Sequence, residues 1–305
     1  MITTKTVVKD PPVQSGEILQ FEQATNLSYH ARLYELHDKV TGAVSSIVPN
    51  WFGVAVPNPN SFDISADVYV LVYFHPIPGQ AGAGYKDADY FLKKGSAGGT
   101  DWKQLYAYVD RLGGQAAGAI RAGAPANRVV IFPFLTSTPY TLPIGEWFNV
   151  IHEILKDINT NLVQGICTRP KKIIVGTLSN GSVYLNRFLT QAAAHPNNSN
   201  IIEAWDFDTE ISTPQELVNP HGKRLRAYWQ NPVPASTATK TYVRLPEASW
   251  ANLLQGAVPN EIPPFPPLSS NSNSGPDTQT FMKVHHYIRD TMFLDAVVNI
   301  ESDNP

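Results

Sequence analysis

Short runs that are apolar on both faces alternate along the chain with longer amphipathic segments. An uninterrupted apolar run is typical of a central strand in a parallel sheet, because helices cover both faces of such a sheet. The amphipathic segments repeat apolar residues at spacings of three and four, which predicts helices. The predicted strands occupy residues 52–56, 67–74, 128–135, 172–175 and 201–208. The predicted helices occupy residues 101–122, 146–162, 182–193 and 287–300.

This alternation predicts an α/β fold with a mostly parallel central sheet, helices on both faces and right-handed crossovers. Two further strands are predicted at residues 224–230 and 241–245. We expect one domain over residues 1–305, with a lid or surface excursion at about 231–280, where Pro, Ser and Asn are frequent. In such sheets ligands bind at the carboxyl ends of the strands, so we expect the functional residues to lie there.

Composition and charge narrow the range of partners. The net charge is −3 and no basic run is present, which disfavours a nucleic-acid partner. No stretch approaches the roughly 20 apolar residues of a membrane span, and the N-terminus lacks the apolar core of a signal peptide. A cytoplasmic location is therefore the default expectation, with leaderless export and the oligomeric state left open. Cys167 is the only cysteine, so an intramolecular disulfide cannot form.

A candidate catalytic residue lies in a sharp turn between a predicted strand and a predicted helix. The turn reads Thr177-Leu178-Ser179-Asn180-Gly181, which has the form small-x-Ser-x-Gly. A serine at such a turn has a strained backbone that exposes its hydroxyl, and its neighbours must be small because strand and helix nearly touch. The pattern predicts Ser179 as a nucleophile, although Thr177 stands where glycine is commoner. The alternative is an ordinary turn with a helix-capping serine.

Together with this turn, the order of elements over residues 52–300 resembles the α/β-hydrolase superfamily, in particular its esterase/lipase branch. The resemblance implies a serine hydrolase that cleaves a small-molecule ester or acyl substrate through an acyl-enzyme. It implies no cofactor and no metal.

The resemblance also implies an oxyanion hole made of two backbone N–H groups. One donor is Asn180, and the other comes from the loop that follows strand 67–74. In that loop the nearest donor is Ile77, because the prolines on either side of it have no N–H. Gly79 and Gln80 are further options, whereas His75 is interpreted as a structural histidine bonded to nearby backbone.

A carboxylate and a histidine complete the expected triad, in the chain order Ser, acid, His. Asp206 and Asp208 share one face at the end of strand 201–208, and Asp208 is preferred because it lies closer to the strand end. Glu247 is a weaker alternative for the acid. His285 and His286 stand at the entry to the last predicted helix, and His285 is preferred as the base.

Three other hypotheses compete with a serine esterase. A peptidase or a thioesterase can use the same scaffold, because a fold does not fix a substrate. An inactive hydrolase-like binding protein is suggested by Thr177 and by the proline-flanked oxyanion loop. A metal-dependent hydrolase is disfavoured, because no His, Asp or Glu cluster with ligand spacing appears in the sequence.

Overall fold

In the computed structural model, the described residues form a nine-stranded mixed sheet. The structure describes residues 2–9, 29–38, 41–42, 46–49, 51–75, 127–135, 140–207, 218–230, 242–245, 293 and 296–301. The strands in these ranges are β1 (Ile2–Lys9), β2 (Tyr29–Asp38), β3 (Trp51–Pro57), β4 (Tyr69–Phe74), β5 (Arg128–Pro133), β6 (Lys172–Leu178), β7 (Ile201–Phe207), β8 (Arg224–Gln230) and β9 (Tyr242–Leu245).

The strands lie in the order β1-β2-β3-β5-β4-β6-β7-β8-β9. Neighbouring strands from β5 to β8 in this order pair in parallel. The outer strands β1, β2, β3 and β9 join by antiparallel pairing. The predicted parallel centre is therefore confirmed, and it carries antiparallel strands on both sides.

The predicted helices agree with the structure wherever it describes them. Helix α1 (Ile144–Asn161) and helix α2 (Ser182–Ala192) begin and end within two residues of the predicted bounds. Phe293 and residues 296–298 are also helical, within the helix predicted at 287–300. The helix predicted at 101–122 lies outside the described residues.

Helices cover both faces of the sheet centre, as expected. On one face, the Phe74 ring lies 5.6 Å from the Trp147 ring of α1 and 5.8 Å from the Phe188 ring of α2. On the opposite face, the neighbouring Tyr73 ring lies 6.2 Å from the Phe293 ring of the last helix. Successive strand residues point to opposite faces, so both faces of β4 need apolar side chains.

The strands β1 and β2 were not predicted from the sequence. Burial alternates along β2: Tyr34 and Leu36 are fully buried, whereas Glu35 and His37 are only partly buried. This alternation is typical of an antiparallel strand with one buried face, and it lacks the uninterrupted apolar run from which the central strands were predicted.

Most of the lid expected at about 231–280 lies outside the described residues. Of residues 231–280, the structure describes β9 alone. Among the described helices, none combines the length and the apolar character needed to cross a membrane.

A buried ion pair on the last-helix side of the sheet joins β7 to β8. Arg226 Nε donates to Glu203 Oε2 over 2.7 Å, and both side chains are at most 1% exposed. The Trp205 indole N–H donates to the same carboxylate oxygen over 2.8 Å. Buried charges are tolerated when they are paired and hydrogen-bonded in this way.

The same side chains hold the end of the last helix. The backbone N–H of Glu301 donates to Glu203 Oε1 over 2.8 Å, and Arg226 donates to the carbonyl of Asn299. Arg128, whose pKa burial lowers to about 10, donates to the carbonyl of Val297 over 3.0 Å. Cations at a helix C-terminus satisfy free carbonyls and oppose the negative end of its dipole.

The ion pair between Glu203 and Arg226 generates a test of stability. Arg226→Met leaves the Glu203 carboxylate buried without its main cation, so we expect the free energy of unfolding to fall by about 3–5 kcal/mol. The matched control is Arg224→Met, whose guanidinium lies 3.6 Å from Glu203 and is 23% exposed. We expect the control to cost less than about 1 kcal/mol. Urea unfolding measures both, and equal losses would contradict the assignment.

Candidate active site

Ser179 lies between a strand and a helix at the carboxyl end of the sheet. β6 ends at Leu178, residues Ser179–Gly181 form one turn of 3₁₀ helix, and α2 follows directly. Ser179 has φ +56°, a left-handed conformation that L-residues rarely adopt. The backbone N–H of Ser182 donates to the carbonyl of Ser179 and closes the turn. An outlier of this kind at a strand end is typical of a nucleophile turn.

Gly181 is the position where strand and helix come closest. An ideal Cβ on Gly181 would lie 2.5 Å from Thr177 Oγ1, 2.6 Å from the carbonyl oxygen of Phe74 and 2.8 Å from that of His75. Two of these three atoms belong to the backbone and cannot rotate away. The glycine of the motif is therefore required by packing.

Thr177 stands at the other small position and is fully buried. Its hydroxyl donates to the carbonyl oxygen of Phe74 over 3.0 Å. Phe74 is the last residue of β4 and lies beside Thr177 in the parallel pairing of β4 with β6. The threonine thus fits in this tight space and also makes a hydrogen bond that glycine could not make.

His75 has the structural role that the sequence suggested. It is 2% exposed, and its Nε2 accepts the backbone N–H of Leu135 over 3.0 Å. An Nε2 that accepts must be unprotonated, so the neutral ring carries its proton on Nδ1. The hydrogen bond fixes the chain where it leaves β4 and enters the predicted oxyanion loop.

Asp206 lies inside β7, next to Thr177 of β6 and Ala227 of β8 in the pairing of these strands. Neighbouring residues in register share a face of the sheet, so Asp206 is on the same side as Thr177 and α2. It is fully buried. Asp206 therefore lies close to the turn at Ser179, two residues before Asp208 in the chain.

The other predicted site residues divide between described and undescribed parts of the chain. Asn180 follows Ser179 within the 3₁₀ turn and is partly buried. Asp208, Ile77, His285 and His286 lie outside the described residues, and their roles stay predictions. The weaker alternative Glu247 also lies outside them.

In the part of the chain that the structure describes, no three or more His, Cys, Asp or Glu side chains are grouped so that they could hold a metal ion.

One feature of this site, the hydrogen bond made by Thr177, was not predicted from the sequence. The sequence signal for this hydrogen bond was a residue with a hydroxyl group at a position where the turn requires only a small side chain. Its partner could not be identified before the pairing register of β4 and β6 was known.

The mixed sheet with a parallel centre and the helices on both of its faces confirm the predicted α/β fold class. No protein-family model matches the chain, and no curated protein matches it.

Among solved structures, the chain is similar to the rice cell wall degrading esterase LipA from Xanthomonas oryzae, with 12% identity and a TM-score of 0.36. That similarity covers 67% of this chain and 48% of LipA. A glucuronoyl esterase from Teredinibacter turnerae has 13% identity and a TM-score of 0.31, over 67% of this chain and 44% of that one. An esterase from Rhizomucor miehei has 12% identity and a TM-score of 0.32, over 65% and 53%. The chain spans about half the length of these structures.

The left-handed backbone of Ser179 can be tested by stability. Ser179→Gly and Ser179→Ala both remove the hydroxyl, but only glycine adopts φ +56° without a Cβ penalty. We expect Ser179→Gly to be about 1 kcal/mol more stable than Ser179→Ala in thermal unfolding. At Ser182, which is helical with φ −52°, the order should reverse and alanine should be the better residue. A more stable alanine variant at both positions would argue against a strained turn.

The close contact at Gly181 predicts that alanine destabilises the fold much more at Gly181 than at Gly176. Gly181→Ala forces a methyl group against three oxygens, so we expect a loss of about 1–3 kcal/mol. The matched control is Gly176→Ala in β6, where the nearest atom to the new Cβ, Trp205 Cβ, is 3.4 Å away. Denaturant unfolding of both variants measures the difference, and the prediction fails if Gly181→Ala is as stable as Gly176→Ala.

Proposed function

We propose that the chain is a serine hydrolase that cleaves a carboxylic ester through an acyl-enzyme on Ser179. The left-handed backbone of Ser179 at the end of a central parallel strand is the observation that carries this proposal. Strained backbone is retained at functional sites, where it orients a reactive group. An ordinary helix-capping serine has extended backbone at the cap and needs no left-handed residue.

In the proposed reaction, Ser179 Oγ attacks the ester carbonyl carbon while a histidine takes the hydroxyl proton. The tetrahedral intermediate collapses, the bond to the alcohol oxygen breaks, and the histidine gives its proton to the departing alcohol. Water, activated by the same histidine, then attacks the acyl-enzyme and releases the carboxylic acid. Each cycle consumes one ester and one water, and it returns Ser179 to its free form.

We assign the base to His285, with His286 as the alternative, and the orienting carboxylate to Asp208, with Asp206 as the alternative. The backbone N–H groups of Asn180 and Ile77 are the proposed oxyanion donors. Asn180 is supported by its place directly after Ser179, at the start of the turn into α2. The other assignments rest on chain order and on the resemblance.

The nucleophile is tested with a fluorophosphonate probe, which reacts with activated serines. We expect the probe to label the full chain at Ser179, as mapped by mass spectrometry, and Ser179→Ala to abolish labelling. Hydrolysis of p-nitrophenyl acetate should fall in parallel by at least about 10³-fold.

The matched control is Ser182→Ala, three residues further along the chain. The Ser182 hydroxyl is buried and makes no hydrogen bond to any of the residues that the structure describes, so its loss should change neither labelling nor folding. Labelling that persists in Ser179→Ala would refute the assignment. Absence of labelling in the native chain would favour the binding-protein hypothesis.

The same hydrolysis assay separates the alternatives for the base and the acid. We expect His285→Ala to lower kcat by about 10²–10⁴-fold and His286→Ala to lower it much less. Asp208→Asn should likewise have a larger effect than Asp206→Asn. If the second member of either pair had the larger effect on kcat, the roles within that pair would be exchanged. If all four variants kept the native activity, the proposed triad would be excluded. Parallel assays with a thioester and a peptide anilide compare the esterase, thioesterase and peptidase activities of the chain.

A further inference from the structure

The turn at Ser179 requires only a small residue at position 177, and the Thr177 hydroxyl makes a contact beyond that requirement. Glycine or alanine would satisfy the requirement for a small residue at this position. Threonine adds a buried hydrogen bond of 3.0 Å from Oγ1 to the Phe74 carbonyl oxygen. A hydroxyl that is both buried and paired to a buried carbonyl fixes the distance between the two chain segments that carry them.

These two segments lead to the two halves of the proposed catalytic site. Thr177 is two residues before Ser179, and Phe74 is the last residue of β4, just before the predicted oxyanion loop. Phe74 and Thr177 form the last pair in the register between β4 and β6. The strand pairing ends at this pair, so the hydrogen bond lies where backbone pairing stops holding the two segments together.

Other contacts make this junction a rigid one. The carbonyl oxygens of Phe74 and His75 lie against Gly181, at the far end of the nucleophile turn. His75 is itself held by the backbone N–H of Leu135, at the end of β5. The Phe74 carbonyl therefore contacts the nucleophile turn both before and after Ser179.

We infer that Thr177 is a positioning residue whose hydroxyl sets the distance between Ser179 and the end of β4 at Phe74 and His75. The inference rests on the proposed function of Ser179. Thr177 is fully buried, so it acts through Phe74 and does not contact substrate. Misplacement of a reacting group by about 1 Å can cost about 100-fold in rate, so a loosened junction should be visible in catalysis.

The test compares Thr177→Val, which keeps the shape and removes the hydroxyl, with Thr177→Ser, which keeps the hydroxyl. With p-nitrophenyl acetate we expect Thr177→Val to lower kcat and kcat/KM together by about 10–100-fold with KM unchanged. Fluorophosphonate labelling of Ser179 should slow by a similar factor. Thr177→Ser should stay within about threefold of the native chain, because it retains the hydrogen bond.

Thr160→Val is the matched control, because Thr160 Oγ1 donates to the Lys156 carbonyl over 2.9 Å on the exposed side of α1. It should keep the native rates, and circular dichroism should show that all variants are folded at the assay temperature. A folded Thr177→Val with the native kcat would overturn the inference alone. Equal losses in Thr177→Val and Thr177→Ser would also overturn it, because packing would then explain the effect. A native chain that the probe does not label would overturn the proposed function itself.

Discussion

The close approach of α2 to the end of β4, at Gly181, is the constraint on which the candidate site depends. Because Gly181 has no side chain, the first turn of α2 can begin against the carbonyl oxygens of Phe74 and His75. The chain must then leave β6 and enter the helix within three residues. A change of direction this sharp is met by one left-handed residue, and that residue is Ser179. The conformation of the serine thus follows from how tightly the helix packs on the sheet.

Much of the sheet centre could be predicted from the sequence, because strands buried on both faces leave a strong signal. β4 has no charged residue, β5 is apolar after Arg128, and both faces of β4 contact aromatic rings from helices. The strand β2 gives a weaker signal, because Arg32 and Asp157 of α1 satisfy each other at its buried face over 2.7 Å. A charged residue in a strand looks exposed until its partner, 125 positions away, is known.

The candidate site was predictable where local sequence decides geometry and not where strand pairing decides it. Ser179 and Gly181 lie within one turn, so their spacing predicts their contact. The hydroxyl of Thr177 meets the carbonyl of Phe74 across 103 positions of sequence, and only the register of β6 on β4 brings them together. For the same reason the threonine looked like a departure from the pattern, although it makes a specific contact. The expected histidine and the preferred aspartate lie outside the described residues and stay predictions.

A left-handed serine costs about 1–2 kcal/mol, and it persists only where the surrounding structure leaves no other conformation. β6 supplies that surrounding, because β4 and β7 pair with it on both sides. α2 is fixed through Phe188, which contacts Phe74 and Trp147 in the core. The strand before Ser179 and the helix after it are therefore anchored independently of the turn. Relaxing the serine would require one of them to move, and the loss of core packing would exceed the strain relieved.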